Sequence, residues 1–350
     1  MVKIDEVARA AGVSISTVSY ALSGKRPVSI ETRQRVERAV ADLGYSPNAR
    51  ARMLAERRTQ IFALTEPLRD DTHAPTHMAF VLATSIAARR KEYDILLLTE
   101  AEASAGMRRV ADSGLVDAIL VLDVAPDDER VGLSRAIRTP TVFIGVPSDA
   151  EGLICVDLDF VAATRRGVDA LVEAGHTSIG LLGHTPEAYE LSNFPPRVRD
   201  AFVAHTAERG IQARMRIPDG PGAAAERFRR AAGDLIDAGA TGILVQGNEE
   251  AHLSVLAEAE RRGLRIPADL SLLSLASTHD TGSLPVPLTA IPLVPQDSCD
   301  LAVELAARRA AGENVAPGIR LIDPLFVDRG SIAPPAAAAP PAFAAIRPTA

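Results

Sequence analysis

Between Lys3 and Gly24 the apolar positions recur at helical spacing. Ile4, Val7, Ala8 and Ala11 form one face of a first helix, and Gly12 accepts the positive φ that ends it. Ser14 is placed to cap a second helix, whose inward face is expected to be Val18 and Leu22. Ile15, Ser16, Ser19 and Tyr20 then point elsewhere. After the turn KRPVS, Ser29 can cap a third helix with Glu31 in its first turn. Val36, Ala39, Val40 and Leu43 close a three-helix core, and Gly44 stops it. Helix, short turn with glycine, helix is the helix-turn-helix pattern, in which the second helix enters a DNA major groove. The same spacing also suits a small hairpin that merely packs.

Beyond it, Pro47 pre-sets the backbone, Asn48 can cap, and Ala49 to Ala55 allow about two helical turns, too few to be stable alone. From Gln60 the pattern changes to apolar runs alternating with helical segments. Strands are expected at 61–66, 94–100, 117–123, 141–146, 153–159, 178–184, 242–248, 269–275 and 288–295, with short strands over 319–329. Helices are expected at 76–91, 107–113, 128–138, 160–174, 196–210, 249–262 and 296–312. Such a βαβα rhythm implies parallel sheets covered on both faces. Residues 334–350 are Pro/Ala-rich and read as a disordered tail without leucine heptads, which favours a dimer over a coiled-coil tetramer.

Charge adds a division that the apolar pattern does not show. The net charge is −7, yet residues 1–60 carry eleven Lys and Arg against six acids, a net of +5, leaving −12 for the rest. A basic head on an acidic body suits a phosphate-binding module joined to a domain that stays off DNA. No signal-peptide pattern and no run approaching membrane-spanning length is present, which points to the cytoplasm and away from membranes. Cys155 and Cys299 read as buried thiols. His73 and His77 lie four apart but have no third ligand in the pattern, so neither metal nor cofactor is expected. No nucleophile–base set, P-loop or GxGxxG indicates an enzyme.

The runs VARAAGVSISTVSYALSG and VSIETRQRVERAVADLGYSPNARARML resemble the DNA-binding head and hinge of the lactose-repressor (LacI) family. The resemblance covers residues 2–333. It implies an α/β protein: a small all-α helix-turn-helix head (1–46), a hinge helix (47–59), and a two-lobed, doubly wound, periplasmic-binding-protein-like sensor domain (60–333). The lobes would be 60–158 plus 288–322, and 159–287 plus 323–333. It also implies a repressor that binds a palindromic operator in double-stranded DNA as a homodimer and answers to a small molecule, commonly a sugar. A solute-binding protein with the same body is the alternative, but it would need an export signal and no helix-turn-helix.

By the same resemblance Ile15, Ser16 and Tyr20 take the base-reading positions. Tyr20 stands where arginine is common. Ser14, Thr17, Ser19, Ser29 and Asn48 read as phosphate contacts, caps or both. Asn48, Arg50, Ala51 and Arg52 match the hinge positions that line the groove or the phosphates, and Leu54 matches the wedge inserted between base steps.

Ligands of open parallel sheets sit beyond the carboxyl ends of strands. Those ends carry Glu66 with Asp70 and Asp71, Asp123, Gly145, Asp157, His184, and Asn248 with Glu249. The resemblance singles out Asp157, Arg197 (with Arg199 as a rival in a loose register) and Asn248–Glu249 as ligand-binding positions. Ala276 stands where a ligand-binding Asp is usual, so the effector is expected to differ from the common sugars, or its site to be rebuilt.

Because Leu54 is the apolar residue of a basic hinge, Leu54→Ala is expected to weaken specific operator binding far more than binding to random DNA. Equal losses in the two titrations would remove the wedge role.

Overall fold

The computed structural model describes residues 2–23, 26–45, 58–67, 73–99 and 103–335. The expected hinge contacts Asn48, Arg50, Ala51, Arg52 and Leu54, the expected ligand residue Asp71, and residues 336–350 lie outside the described residues. The chain divides into two compact units, Met1–Thr59 and Gln60–Ala350.

In the first unit α1 (Ile4–Ala11) ends on Gly12 at φ 63°. The second helix, α2 (Ile15–Ser23), starts where Ser14 Oγ accepts the Thr17 amide at 3.1 Å. Ser29 Oγ accepts the Thr32 amide at 3.2 Å and caps α3 (Ile30–Leu43), which ends on Gly44 at φ 60°. Val7, Ala8, Ala11, Val18, Ala21, Val36 and Ala39 make the core. One expectation is corrected: Leu22 is 38 % exposed, and Ala21 takes the inward position. The three-residue step from Val18, not the four-residue step, faces α1 and α3, and the smaller side chain fills that space.

The second unit holds two parallel sheets. The first contains β1 (Ile61–Thr65), β2 (Asp94–Leu98), β3 (Ala118–Val121), β4 (Thr141–Ile144), β5 (Ile154–Leu158) and β11 (Gly318–Ile322), in the order β11-β5-β4-β3-β1-β2. The second contains β6 (Ser178–Leu182), β7 (Gln212–Arg216), β8 (Gly242–Gln246), β9 (Ser271–Leu275) and β10 (Thr289–Ile291), in the order β10-β9-β8-β6-β7. β3, β5, β8 and β9 are buried at every residue, because helices cover both faces of each sheet. On the first sheet these include α4 (Ala74–Arg90), α5 (Ala103–Ser113), α6 (Glu129–Ala136) and α12 (Pro295–Ala310). On the second they include α7 (Phe160–Glu173), α9 (Phe194–Glu208), α10 (Ala224–Asp237) and α11 (Glu249–Arg261). A one-and-a-half-turn helix, α8 (Pro186–Leu191), precedes α9.

Two differences from the sequence reading follow from local chemistry. The run 288–295 was expected to start the return to the first lobe, but Thr289–Ile291 pair with Leu273–Leu275 in the second sheet. The strand stops before Pro292, so the crossing falls between Ile291 and Pro295. No element was expected between 210 and 242, yet β7 and α10 lie there, and α8 was likewise unread. β7 is an edge strand, QARMR, with no apolar run. The helical spacing of Phe228, Ala231, Ala232 and Leu235 in α10 was legible but diluted by alanine and arginine.

Cys155 and Cys299 are buried free thiols, each pushed up to about 12 by burial. No helix among the described residues is long and apolar enough to cross a membrane.

Candidate functional site

Strands buried on both faces leave their carboxyl ends as the place where polar chemistry can gather. The centre of that gathering is Asp157, near the end of β5. Its Oδ2 accepts from Arg197 Nη1 at 2.6 Å, although Arg197 belongs to α9 of the second lobe. The guanidinium lies 5.3 Å from the centre of the Phe160 ring. Phe160 stacks on Phe194 with centroids 5.2 Å apart, and His184 meets Phe194 edge-on at 5.2 Å. Burial pushes the Asp157 carboxyl up to about 6, with Arg197 pulling in the opposite direction. Arg199, two residues along the helix, faces away: it bonds Asp200 at 2.7 Å and sits 5.8 Å over Tyr189. The structure therefore brings Arg197, and not Arg199, to Asp157.

Other polar contacts join the lobes here. Asn193 donates to the Val124 carbonyl from its backbone at 3.0 Å and from its side-chain amide at 2.9 Å. Gly145, at φ 131°, permits this approach, since a Cβ there would meet Val124 at 2.8 Å and Asn193 at 2.9 Å. Ser192 Oγ donates to Asp123 Oδ1 at 3.4 Å, and the hydroxyls of Thr76 and Thr278 are 3.0 Å apart.

The first lobe contributes Glu66, directly after β1, and Asp123, just past β3. Glu66 is 1 % exposed and lies 2.5 Å from His77 Nδ1 of α4. Burial raises the Glu66 carboxyl, while His77 partly offsets that effect. Asp123 takes a left-handed backbone, φ 46°, held by Arg130 Nη2, which donates to its carbonyl at 2.8 Å. Arg130 is 2 % exposed. It also binds both oxygens of Asp128, at 2.8 and 2.6 Å, and the Thr65 hydroxyl at 2.8 Å. Burial alone would raise Asp128, but those bonds outweigh it and hold the carboxyl below its ordinary value.

The second lobe presents a different chemistry. Asn248 Oδ1 accepts the Ala251 amide at 3.1 Å, capping α11, while Glu249 is exposed in the first turn. His252 Nδ1 lies 2.8 Å from the Asn248 carbonyl. A carbonyl can only accept, so Nδ1 carries the proton and Nε2 is left as an acceptor. Burial lowers His252 and His184 to about 4, so both are neutral at pH ~7. His279 packs edge-on against His252 at 4.8 Å. Among the described residues, His252 Nε2, His279 Nε2 and both side-chain atoms of Gln246 are buried without a hydrogen-bond partner. Ala276, at φ 56°, turns the chain so that Ser277 bonds Ser274 at 2.8 Å and the Gly247 carbonyl at 3.0 Å.

Arg130, Asn193, Gln246, His252 and His279 escaped the sequence reading. Only Asn193, just before a Pro-containing helix start, carried a local signal. In the head, Ser14, Ile15, Ser16 and Ser19 are exposed, while Thr17 and Tyr20 are half-buried. Ser14 Oγ lies 3.0 Å from Ser16 Oγ and 2.8 Å from Thr17 Oγ1, and Arg26 sits 5.2 Å over the Tyr20 ring.

A helix-turn-helix head and a two-lobed body with polar groups at the strand ends define a sensor protein with an attached DNA-binding module. Residues 3–48 match the lacI family of bacterial regulatory proteins, and residues 168–332 match the periplasmic-binding-protein-like domain. The chain is 26 % identical to the transcriptional regulator DegA of Bacillus subtilis over 95 % of this chain and 98 % of that protein. It is 32 % identical to the regulator AglR of Rhizobium meliloti over 60 % of this chain, spanning 59 % of AglR. A crystal structure of the lac repressor dimer bound to operator and the anti-inducer ONPF superposes with a TM-score of 0.77, at 24 % identity, over 95 % of this chain and 99 % of that one. The chain thus carries the DNA-binding head of the lacI family of bacterial regulatory proteins together with a periplasmic-binding-protein-like domain.

Asp157 titrates well above a free aspartate, so between pH ~4 and ~6 the native state holds a proton that the unfolded state releases. That contribution to stability is present at low pH and disappears as pH rises through about 6. Thermal unfolding of wild type minus Asp157→Asn should therefore fall across this window. A flat difference would place the carboxyl at an ordinary value. Arg197→Ala is expected to abolish the small-molecule response in an operator-binding assay while leaving ligand-free operator binding within about twofold.

Proposed function

We propose that this chain is a ligand-responsive, sequence-specific repressor acting in the cytoplasm as a homodimer on a palindromic operator. One observation carries the reading: a capped recognition helix that turns Ile15, Ser16 and Ser19 to solvent shares its chain with a polar interlobe cleft. In this reading Ile15, Ser16 and Tyr20 meet base edges, and Ser14, Thr17, Ser19 and Ser29 hold phosphates. A tyrosine at position 20 offers one hydroxyl and a ring where an arginine would fork onto guanine, so base preference at that step should differ from relatives with arginine.

The effector in this reading is a small polyhydroxylated molecule, probed first with sugars and glycosides. The orphaned His252 Nε2 accepts one of its hydroxyl protons, and Gln246 supplies both a donor and an acceptor. Arg197 and Asp157 serve further hydroxyls, and Phe160 and Phe194 offer an apolar face. Asn248 Oδ1 is oriented by capping α11, and its amide nitrogen donates to the ligand. Glu66, Asp123 and Glu249 complete the proposed wall. Binding that prefers one lobe arrangement changes operator affinity by the coupling between the two sites, typically about 1–3 kcal/mol or 5–150-fold.

The dimer reading is supported by α4. Its inner face is buried, yet Met78, Leu82 and Ile86 form an exposed stripe along one side, at 42, 58 and 51 % exposure. A helix apolar on both sides usually has a partner on each.

Selection from randomised duplex DNA with the full chain is expected to yield a two-fold-symmetric site whose affinity falls steeply with salt. Recovery of no preferred sequence would overturn the reading. Leu82→Asp is expected to shift the protein to monomer in sedimentation and to weaken operator binding at least tenfold. A dimer unchanged by that substitution would move the interface elsewhere.

A further inference from the structure

The sequence paired His73 with His77 and found no third ligand, but the fold gives His77 different company. His77 on α4, Glu66 after β1 and Asp123 after β3 place one ligand atom each within 4.8 Å of one another. We propose that these three side chains form a binding site for a divalent first-row transition metal in the first-lobe wall of the cleft.

The donor set is one imidazole nitrogen and two carboxylates. Such a mixture suits zinc, cobalt, nickel or iron(II) better than the all-oxygen shells of calcium and magnesium. Three protein ligands leave coordination positions open to water or to the oxygens of an effector. All three side chains stand on the carboxyl edge of the first sheet or on a helix packed against it. The two carboxylates place ligand atoms within 4.8 Å of each other. Like charges this close repel, the more so with Glu66 buried, and a cation between them relieves it.

The outer contacts are those a metal site uses. Arg130 fixes the backbone of Asp123 through its carbonyl at 2.8 Å, in a left-handed turn. Ser192 Oγ, from the second lobe, donates to Asp123 Oδ1 at 3.4 Å. Such supporting bonds orient ligands and tune affinity. His77 Nδ1 and Glu66 Oε1 are hydrogen-bonded at 2.5 Å. If Nδ1 is the nitrogen used, metal coordination displaces that proton to solvent, and the pair opens to the spacing of two ligands on one ion. If Nε2 is used instead, Glu66 Oε1 keeps the Nδ1 proton and offers its second oxygen. Because Asp123 also touches the second lobe, occupancy bears on how the lobes meet.

The test uses the full, tag-free chain, stripped with EDTA and dialysed. Zinc binding is followed by calorimetry, and cobalt binding by its visible absorption. One ion per chain is expected, and bound cobalt should be displaced by zinc but not by excess magnesium. His77→Ala and Asp123→Asn should each weaken zinc binding by about tenfold or more, since even outer-shell changes cost 10–100-fold. His77→Gln, which keeps most of the side-chain volume, guards against a folding defect, and its thermal unfolding is measured alongside. No stoichiometric zinc binding, or equal affinity in wild type and all three variants, overturns the site. Operator binding by the metal-free wild type is scored separately, so failure of the metal site and failure of the repressor reading are told apart.

Discussion

The two lobes of the body are held at the cleft by polar contacts between side chains that neither lobe could bury alone. Asp157 of the first sheet and Arg197 of the second lobe satisfy each other at 2.6 Å, and Asn193 ties itself to the Val124 carbonyl beside them. Such contacts differ from the cores on either side. A packed core is dense and resists graded deformation, whereas a hydrogen bond can be exchanged for one to a ligand or to water at small net cost. The lobes are thus rigid bodies, and the joint between them is where a bound molecule can exert leverage.

That joint has an uneven chemistry. The first-lobe wall carries carboxylates and the imidazoles of His73 and His77, with Arg130 committed to Asp128, Thr65 and the Asp123 carbonyl. The second lobe buries His252 Nε2, His279 Nε2 and the side-chain amide of Gln246 without a hydrogen-bond partner among the described residues. A molecule seated between them would have to satisfy charge on one side and hydrogen-bond geometry on the other. The Ser274–Ser277 turn shows how the second wall was rebuilt. Its hydroxyls are consumed internally, tying the loop after β9 to the loop after β8.

The head follows a different economy. Its core consists mainly of alanines and valines, and it spends three serines and threonines on capping and linking the start of α2. A small core and a pre-ordered recognition helix are compatible because the caps fix the helix without burying its outer face. That face stays available for DNA. The body carries the net negative charge of the chain, so non-specific attraction to phosphate is confined to the head.

What the sequence determined by itself was whatever local periodicity encodes. The three head helices, their caps at Ser14 and Ser29, their glycine stops and the buried strands follow from spacing that neighbours in the chain decide together. β7 was not legible, because an edge strand needs no apolar run, and Leu22 was misplaced because the facing helices select the inward residue. Glu66, Asp123 and Asp157 were legible as strand ends, since a parallel sheet exposes its polar chemistry only there. Tertiary structure alone chose Arg197 over Arg199, brought His77 to Glu66 and Asp123, and buried Arg130 beneath them. Those pairings join residues far apart in the chain, and their energy arises only when desolvation makes each side chain depend on the other.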